Sequence, residues 1–204
     1  MEMSTYKKGE FMNTLLNIAS GKILPLNLPE RYFLVNADIM YYYTSPPDII
    51  EKDWVSWTKD LNISHYSNSD IYEFMERTKM IFDMVYIYRF LEHVPMDKIE
   101  YFIYLLSTIT KKGSVIDIIV PDYKKLAQMI LDEKIDENFP GNNIILTTEL
   151  LNQPPDPHCS IWTIDRTKYF WELEKRFSVI EESMQRNFEF DGRDIYLRFF
   201  VERV

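Results

Sequence analysis

Between Phe82 and Asp122 the chain reads as two short apolar runs separated by an amphipathic segment, an arrangement that leaves few folds open. Residues 84–88 (MVYIY) and 115–120 (VIDIIV) are too short for ordinary helices. They are rich in β-branched and aromatic residues and bounded by turn or polar signals, so they predict buried strands. Between them Ile99, Phe102, Ile103 and Leu106 recur at helical spacing, and Lys111-Lys112-Gly113 supplies the positive charge and the glycine that commonly close a helix. Strand, crossover helix and strand make a βαβ unit, whose strands pair in parallel within a sheet covered on both faces.

The flanking sequence extends this pattern. Residues 11–18 (FMNTLLNI) predict a first strand that passes directly into Ala19-Ser20-Gly21-Lys22, and residues 31–39 (RYFLVNADI) a second strand ending in an acid. Pro46-Pro47-Asp48 marks a turn and a helix start, with Ile50, Trp54 and Trp57 on one face. A short third strand is predicted over 61–65, and Asp70 then precedes a helical segment, with Glu73 placed as in a capping box. Past the central block, Asp122 caps a helix whose inner face is Tyr123, Leu126, Met129 and Ile130. Asp165 is expected to cap a further helix with Phe170, Leu173 and Phe177 inward. Residues 177–183 and 195–204 read as strands joined through Asp191-Gly192-Arg193, and a hairpin of that kind must be antiparallel.

Composition sets the outer limits. The chain has 204 residues, 46% of them apolar and 15% aromatic, enough for one substantial core and one domain over 1–204. Residues 1–12 are expected to be a flexible lead-in, and residues 132–162, dense in Pro and Asn, a lid or insertion loop. No apolar run approaches the roughly 18 residues of a membrane span, and the first residues hold no apolar signal core, so neither a membrane nor secretion is expected. One cysteine, Cys159, has no partner for a disulfide or a metal site, which places the chain in a reducing compartment, the cytoplasm. A net charge of -9 argues against nucleic acid as a partner, and Lys111, Lys112, Lys124 and Lys125 read as solvated faces more readily than as a basic patch.

Within the central block, a strand opened by Asp83, the run Leu91-Glu92-His93-Val94-Pro95, a helix, Lys-Lys-Gly and a strand ending in Val120-Pro121-Asp122 resemble the middle of class I S-adenosylmethionine (SAM) dependent methyltransferases. The likeness is closest to the uncharacterised branch whose members begin with a Leu-Asn-Ile-Gly-Cys-Gly strand and loop. It spans roughly Leu15 to Val204, with only the middle block specific and the rest following by order of elements. The resemblance implies a three-layer αβα, doubly wound, mostly parallel seven-stranded sheet with an antiparallel C-terminal hairpin strand. It also implies SAM as cofactor, S-adenosylhomocysteine (SAH) as product, and a small-molecule or saccharide-like acceptor, with a protein partner left open.

The same resemblance assigns cofactor-binding residues. Asn17 matches the branch's Leu-Asn-Ile, and Ala19, Ser20 and Gly21 stand where the family has Gly-x-Gly, a turn in which backbone approaches the methionine part of the cofactor. Ala19 departs from that pattern, since a methyl group there occupies ligand space. Asp38, at the tip of the second strand, is placed to accept the ribose hydroxyls, with a turn or helix cap as its plain alternative. Ile39 would lie against the adenine, and Asp70, with Asp60 as competitor, would bond its amino group unless Asp70 serves as a cap. Tyr88 and Arg89, ending the fourth strand, face the ligand edge.

Methyl transfer from a sulfonium asks mainly for alignment, with a base only when the acceptor carries a proton. His93, His158 and Tyr88 are therefore weak catalytic candidates. The resemblance reads the Glu92-His93 pair chiefly as shaping the turn into the next helix, and His158 and Trp162 are acceptor-pocket candidates with surface loop and core anchor as their plain alternative. No zinc-ligand spacing, P-loop, Ser-His-Asp arrangement or Asn-Pro-Pro-Tyr motif is legible, so no metal is expected. The alternative function is an inactive methyltransferase-like domain serving as a binding, assembly or structural module; a further one is another nucleotide-linked function on a similar sheet.

Overall fold

A computed structural model describes residues 13–18, 32–38, 65–68, 70–132, 158–173, 175–190 and 193–204. The strands are β1 (Asn13–Ile18), β2 (Tyr32–Asp38), β3 (His65–Asn68), β4 (Phe82–Tyr88), β5 (Thr110–Pro121), β6 (Phe177–Phe190) and β7 (Arg193–Arg203). Among them lie α1 (Ile71–Arg77), α2 (Ile99–Thr108), α3 (Tyr123–Leu131) and α4 (Ile164–Leu173). All seven strands join one mixed sheet in the order β3-β2-β1-β4-β5-β7-β6. The first five pair in parallel, while β7 is antiparallel to both β5 and β6. The βαβ unit expected around α2 and the antiparallel terminal hairpin are therefore both present.

Alternation along the strands sorts their side chains onto two faces. Leu16, Ile18, Val35, Ala37, Val85, Ile87, Ile116 and Ile118 belong to one buried cluster, shared with Ile71 and Met75 of α1, Phe102 and Leu106 of α2, and Trp171 of α4. Leu15, Leu34, Tyr86, Tyr88 and Ile119 belong to a second, with Tyr123 and Leu126 of α3. The apolar runs of β1, β4 and β5 are nearly continuous because these central strands bury residues of both clusters. Among the described residues no helix is long and apolar enough to cross a membrane.

Several boundaries differ from the sequence expectations, each for a local reason. Lys111-Lys112-Gly113 lies inside β5 and does not close α2. The last turn of α2 is instead satisfied by hydroxyls: Ser107 Oγ donates to the Tyr104 carbonyl, Thr108 Oγ1 to Leu105 and Thr110 Oγ1 to Leu106. Gly113 has a φ of 83°, a backbone angle glycine tolerates, where the β4–β5 ladder shifts register between Phe82 and Met84. Ser114 spans that irregularity, accepting from the Lys111 amide and donating to the Phe82 carbonyl.

The third strand appears at His65–Asn68, so it shares only His65 with the predicted stretch; its polar sequence suits its place at the edge of the sheet. The cap of α4 is Thr163, whose Oγ1 accepts from the Arg166 amide, and Asp165 lies within the first turn. Thr167 and Trp171 form the inner face of that helix. Leu173 is exposed, and Phe177 already belongs to β6. β6 runs on to Phe190, past the predicted end at 183, because β7 continues to pair with it. The Pro46-Pro47-Asp48 helix, Asp60 and most of the 132–162 segment lie outside the described residues.

Candidate functional site

Parallel strands present their carboxyl ends along one edge, where open α/β sheets hold ligands. Register aligns Ile18 of β1 with Ala37 of β2 and Ile87 of β4, so Asp38 stands one residue beyond the described end of β1, beside Asn68 of β3. One row back, Asn17 is flanked by Asn36 and Tyr86. Asn17 and Asn36 are fully buried, and the Asn36 amide has no hydrogen-bond partner among the described residues. A buried amide in that condition is costly and requires a partner. Ala19, Ser20, Gly21 and Ile39 lie outside the described residues.

Asp70 is an N-cap. Its Oδ1 accepts from the amides of Tyr72 (2.9 Å) and Glu73 (3.2 Å), satisfying two donors of the first turn of α1. The capping reading of this residue is thus the one the geometry displays, and the carboxylate itself stays exposed.

Tyr88 is fully buried, and its hydroxyl donates to Asp117 Oδ2 at 2.6 Å. The same carboxylate receives Arg198 through Nε (3.0 Å to Oδ1) and a terminal nitrogen (2.6 Å to Oδ2), a two-point clamp. Tyr88 is therefore brought together with Asp117 and Arg198 under the ligand edge. Beside them, burial and then the Asp117 carboxylate push the Tyr86 hydroxyl up to about 12, against an opposing pull from Arg198. Asp117 and Arg198 were not singled out from sequence; the signal was an acid alone in an apolar run, VIDIIV.

The turn after β4 supplies the rest of the site. Arg89 takes a positive φ of 54°, and its amide donates to the Ile119 carbonyl, which ends the strand and swings the chain into a 3-10 turn over Leu91–His93. The segment entering α4 is fastened onto that turn. The amides of Cys159 (2.6 Å) and Ser160 (2.9 Å) both donate to the Glu92 carbonyl, and Ser160 Oγ donates to the Leu91 carbonyl at 2.7 Å. Trp162, fully buried as a core anchor, donates its indole N–H to Ser160 Oγ.

This docking brings His158 against the turn. Its ring centroid lies 4.7 Å from that of His93, edge to face, and its Nδ1 meets the Tyr123 hydroxyl at 2.6 Å. Glu92, whose side chain is fully buried, completes a group in which one ligand atom from each of Glu92, His93 and His158 lies within 4.8 Å of the others. The sequence offered His93 and His158 as weak catalytic candidates and did not single out Glu92 as a ligand. A crossover helix, β5 and α3 intervene between the two halves, so no short spacing marks the group.

No family model and no curated protein matches the sequence. Solved structures do resemble the fold. The N-methyltransferase NodS from Bradyrhizobium japonicum WM9 superposes with a TM-score of 0.57 at 13% identity, covering 94% of this chain and 85% of that one. The 1,6-didemethyltoxoflavin-N1-methyltransferase of Burkholderia thailandensis, bound to 1,6-didemethyltoxoflavin and SAH, gives 0.59 at 10% identity, over 95% and 72% of the two chains. Magnesium protoporphyrin IX methyltransferase from Synechocystis PCC 6803, with bound SAH, gives 0.55 at 11% identity, over 95% and 74%. At such identities the likeness shows the fold: this chain has the mixed α/β fold of those methyltransferases.

Proposed function

We propose that this chain is a SAM-dependent methyltransferase, a single three-layer, doubly wound domain acting on a small-molecule or saccharide-like acceptor. The observation that carries the reading is the strand order, with β7 inserted antiparallel between β5 and β6, in a fold shared with methyltransferases whose structures hold SAH. A small acceptor is in keeping with the didemethyltoxoflavin held by one of those relatives.

The residues present fit the cofactor on the observed edge. A carboxylate residue, Asp38, ends β2 one residue beyond β1, and the buried amide of Asn36, on the same strand, needs a polar partner. When bound, SAM supplies a methyl group already activated on a sulfonium. In this reading Asp38 accepts the ribose hydroxyls, and the backbone of Ala19, Ser20 and Gly21 lies along the methionine part. Ile39 packs on the adenine, and Asp70 faces the adenine amino group while its Oδ1 holds the cap of α1. Asn17 and Tyr88 form the floor beneath, Tyr88 locked there by Asp117. His93 and His158 meet the acceptor, and alignment of acceptor and methyl does most of the catalytic work. The chain's single cysteine, Cys159, is exposed and has no second cysteine to pair with, in keeping with a reducing, cytoplasmic setting.

Calorimetric titration of the full chain with SAM and with SAH tests the proposal. Micromolar binding is expected, weakened about 10- to 100-fold in Asp38→Ala, the loss for hydrogen bonds to a charged acceptor. A folded protein that binds neither ligand overturns the reading.

A further inference from the structure

We propose that Glu92, His93 and His158 form a binding site for a divalent transition-metal ion, most suited to Zn²⁺. Independently of the methyl-transfer reading, the proposal stands on the chemistry and placement of three side chains. Two imidazoles and one carboxylate, one ligand atom from each within 4.8 Å of the others, make the N₂O donor set of open zinc centres, in which a fourth position is left for water or a bound molecule. They come from two segments that the backbone holds together: Glu92 and His93 sit in one 3-10 turn, and His158 is held by the Cys159 and Ser160 amides on the carbonyl of Glu92 itself. Main-chain hydrogen bonds thus fix the backbone of both ligand-bearing segments before any metal binds.

The surroundings match what such a ligand set requires. Glu92 is fully buried, where a carboxylate is stabilised by pairing, hydrogen bonding or a metal. The Tyr123 hydroxyl engages His158 Nδ1 at 2.6 Å, and a metal-bound imidazole characteristically gives its other nitrogen to such a partner, which sets the tautomer and the ring orientation. With Nδ1 given to Tyr123, Nε2 is the nitrogen presented to the metal. His93 and His158 are half-buried, so the site is neither sealed nor on an open surface. The chain holds three histidines, and the remaining one, His65, lies on the edge strand β3.

The test uses the full chain stripped with a chelator and dialysed, then titrated with Zn²⁺ by calorimetry and with Co²⁺ by visible absorption. One equivalent of either metal, with Co²⁺ ligand-field bands of a four-coordinate site and a thermal midpoint raised by Zn²⁺, is expected. His93→Gln and His158→Gln should each abolish the bands and the midpoint shift. Tyr123→Phe should keep the site and weaken it roughly 10-fold, in the range for an outer-shell partner. His65→Gln should leave binding unchanged. Circular dichroism of each apo variant separates lost binding from lost folding, and Glu92→Gln serves if one histidine variant fails to fold. Absence of stoichiometric binding by the wild type, or its retention in folded His93→Gln and His158→Gln, overturns the proposal.

Discussion

A single carboxylate can be claimed by local structure before any ligand is considered, and Asp70 is such a case. Its Oδ1 satisfies two amides of α1, so Asp70→Ala should cost about 1 kcal/mol of stability in urea denaturation, while Asp70→Asn should keep most of the cap. Legibility at this scale depended on whether a role is local. The Asp70 and Asp122 caps were readable because cap and helix adjoin in sequence; Asp122 Oδ1 does accept from the Lys124 and Lys125 amides. The pairing of Asp117 with Arg198 and the nearness of Glu92 to His158 were not readable, because Arg198 and His158 arrive from distant segments.

Strands are joined by side chains as well as by ladders, and Asp83 ties three of them. Its carboxylate accepts from the amide and hydroxyl of Thr14 on β1, both at 2.8 Å, and pairs with Lys111 of β5 at 2.5 Å. Burial pushes the Asp83 carboxyl up, but Lys111 and Thr14 together outweigh it and hold the group below the ordinary aspartate value. Because the folded value is the lower one, the stabilisation is complete above the unfolded-state value and is lost as pH falls through the folded one. Asp83→Asn should therefore cost about 1 kcal/mol at neutral pH, modest because the lysine is exposed. The difference from wild type should close on acidification, and a gap that does not change with pH in urea titrations would refute this account. The same start of β5 explains the misplaced helix end: Lys-Lys-Gly has the composition of a C-cap, yet hydroxyls of Ser107, Thr108 and Thr110 had already taken the carbonyls of α2.

The molecule as a whole has a seam where the parallel half of the sheet meets the antiparallel hairpin, and the Tyr88, Asp117 and Arg198 network crosses it from β4 through β5 to β7. Arg198 also lies over the rings of Phe188 and Phe200, at 5.1 and 4.9 Å, which draws β6 into the same assembly. Asp117→Ala leaves a buried guanidinium without its carboxylate and should destabilise by about 3–5 kcal/mol in denaturant unfolding. Replacing both members with apolar residues of similar volume should cost much less, since the desolvation of two charges is then avoided. Both substitutions test whether the hairpin is held to the parallel half by this pair or by apolar packing alone.

Sequence by itself determined the class of the fold: apolar runs of strand length, an amphipathic crossover between two of them, and a terminal pair that closes antiparallel are all local patterns of period and turn chemistry. It also placed Asn17 and Asp38 toward the ends of their strands and His93 in the turn after β4. Only the tertiary structure decided which groups meet. The pairing of Asp117 with Arg198, and the meeting of Glu92 and His93 with His158, depend on where β7 inserts and where the segment before α4 docks. Those placements are set by burial of residues such as Trp162 and by main-chain hydrogen bonds open to many side chains, which is why no short spacing in the sequence announces them.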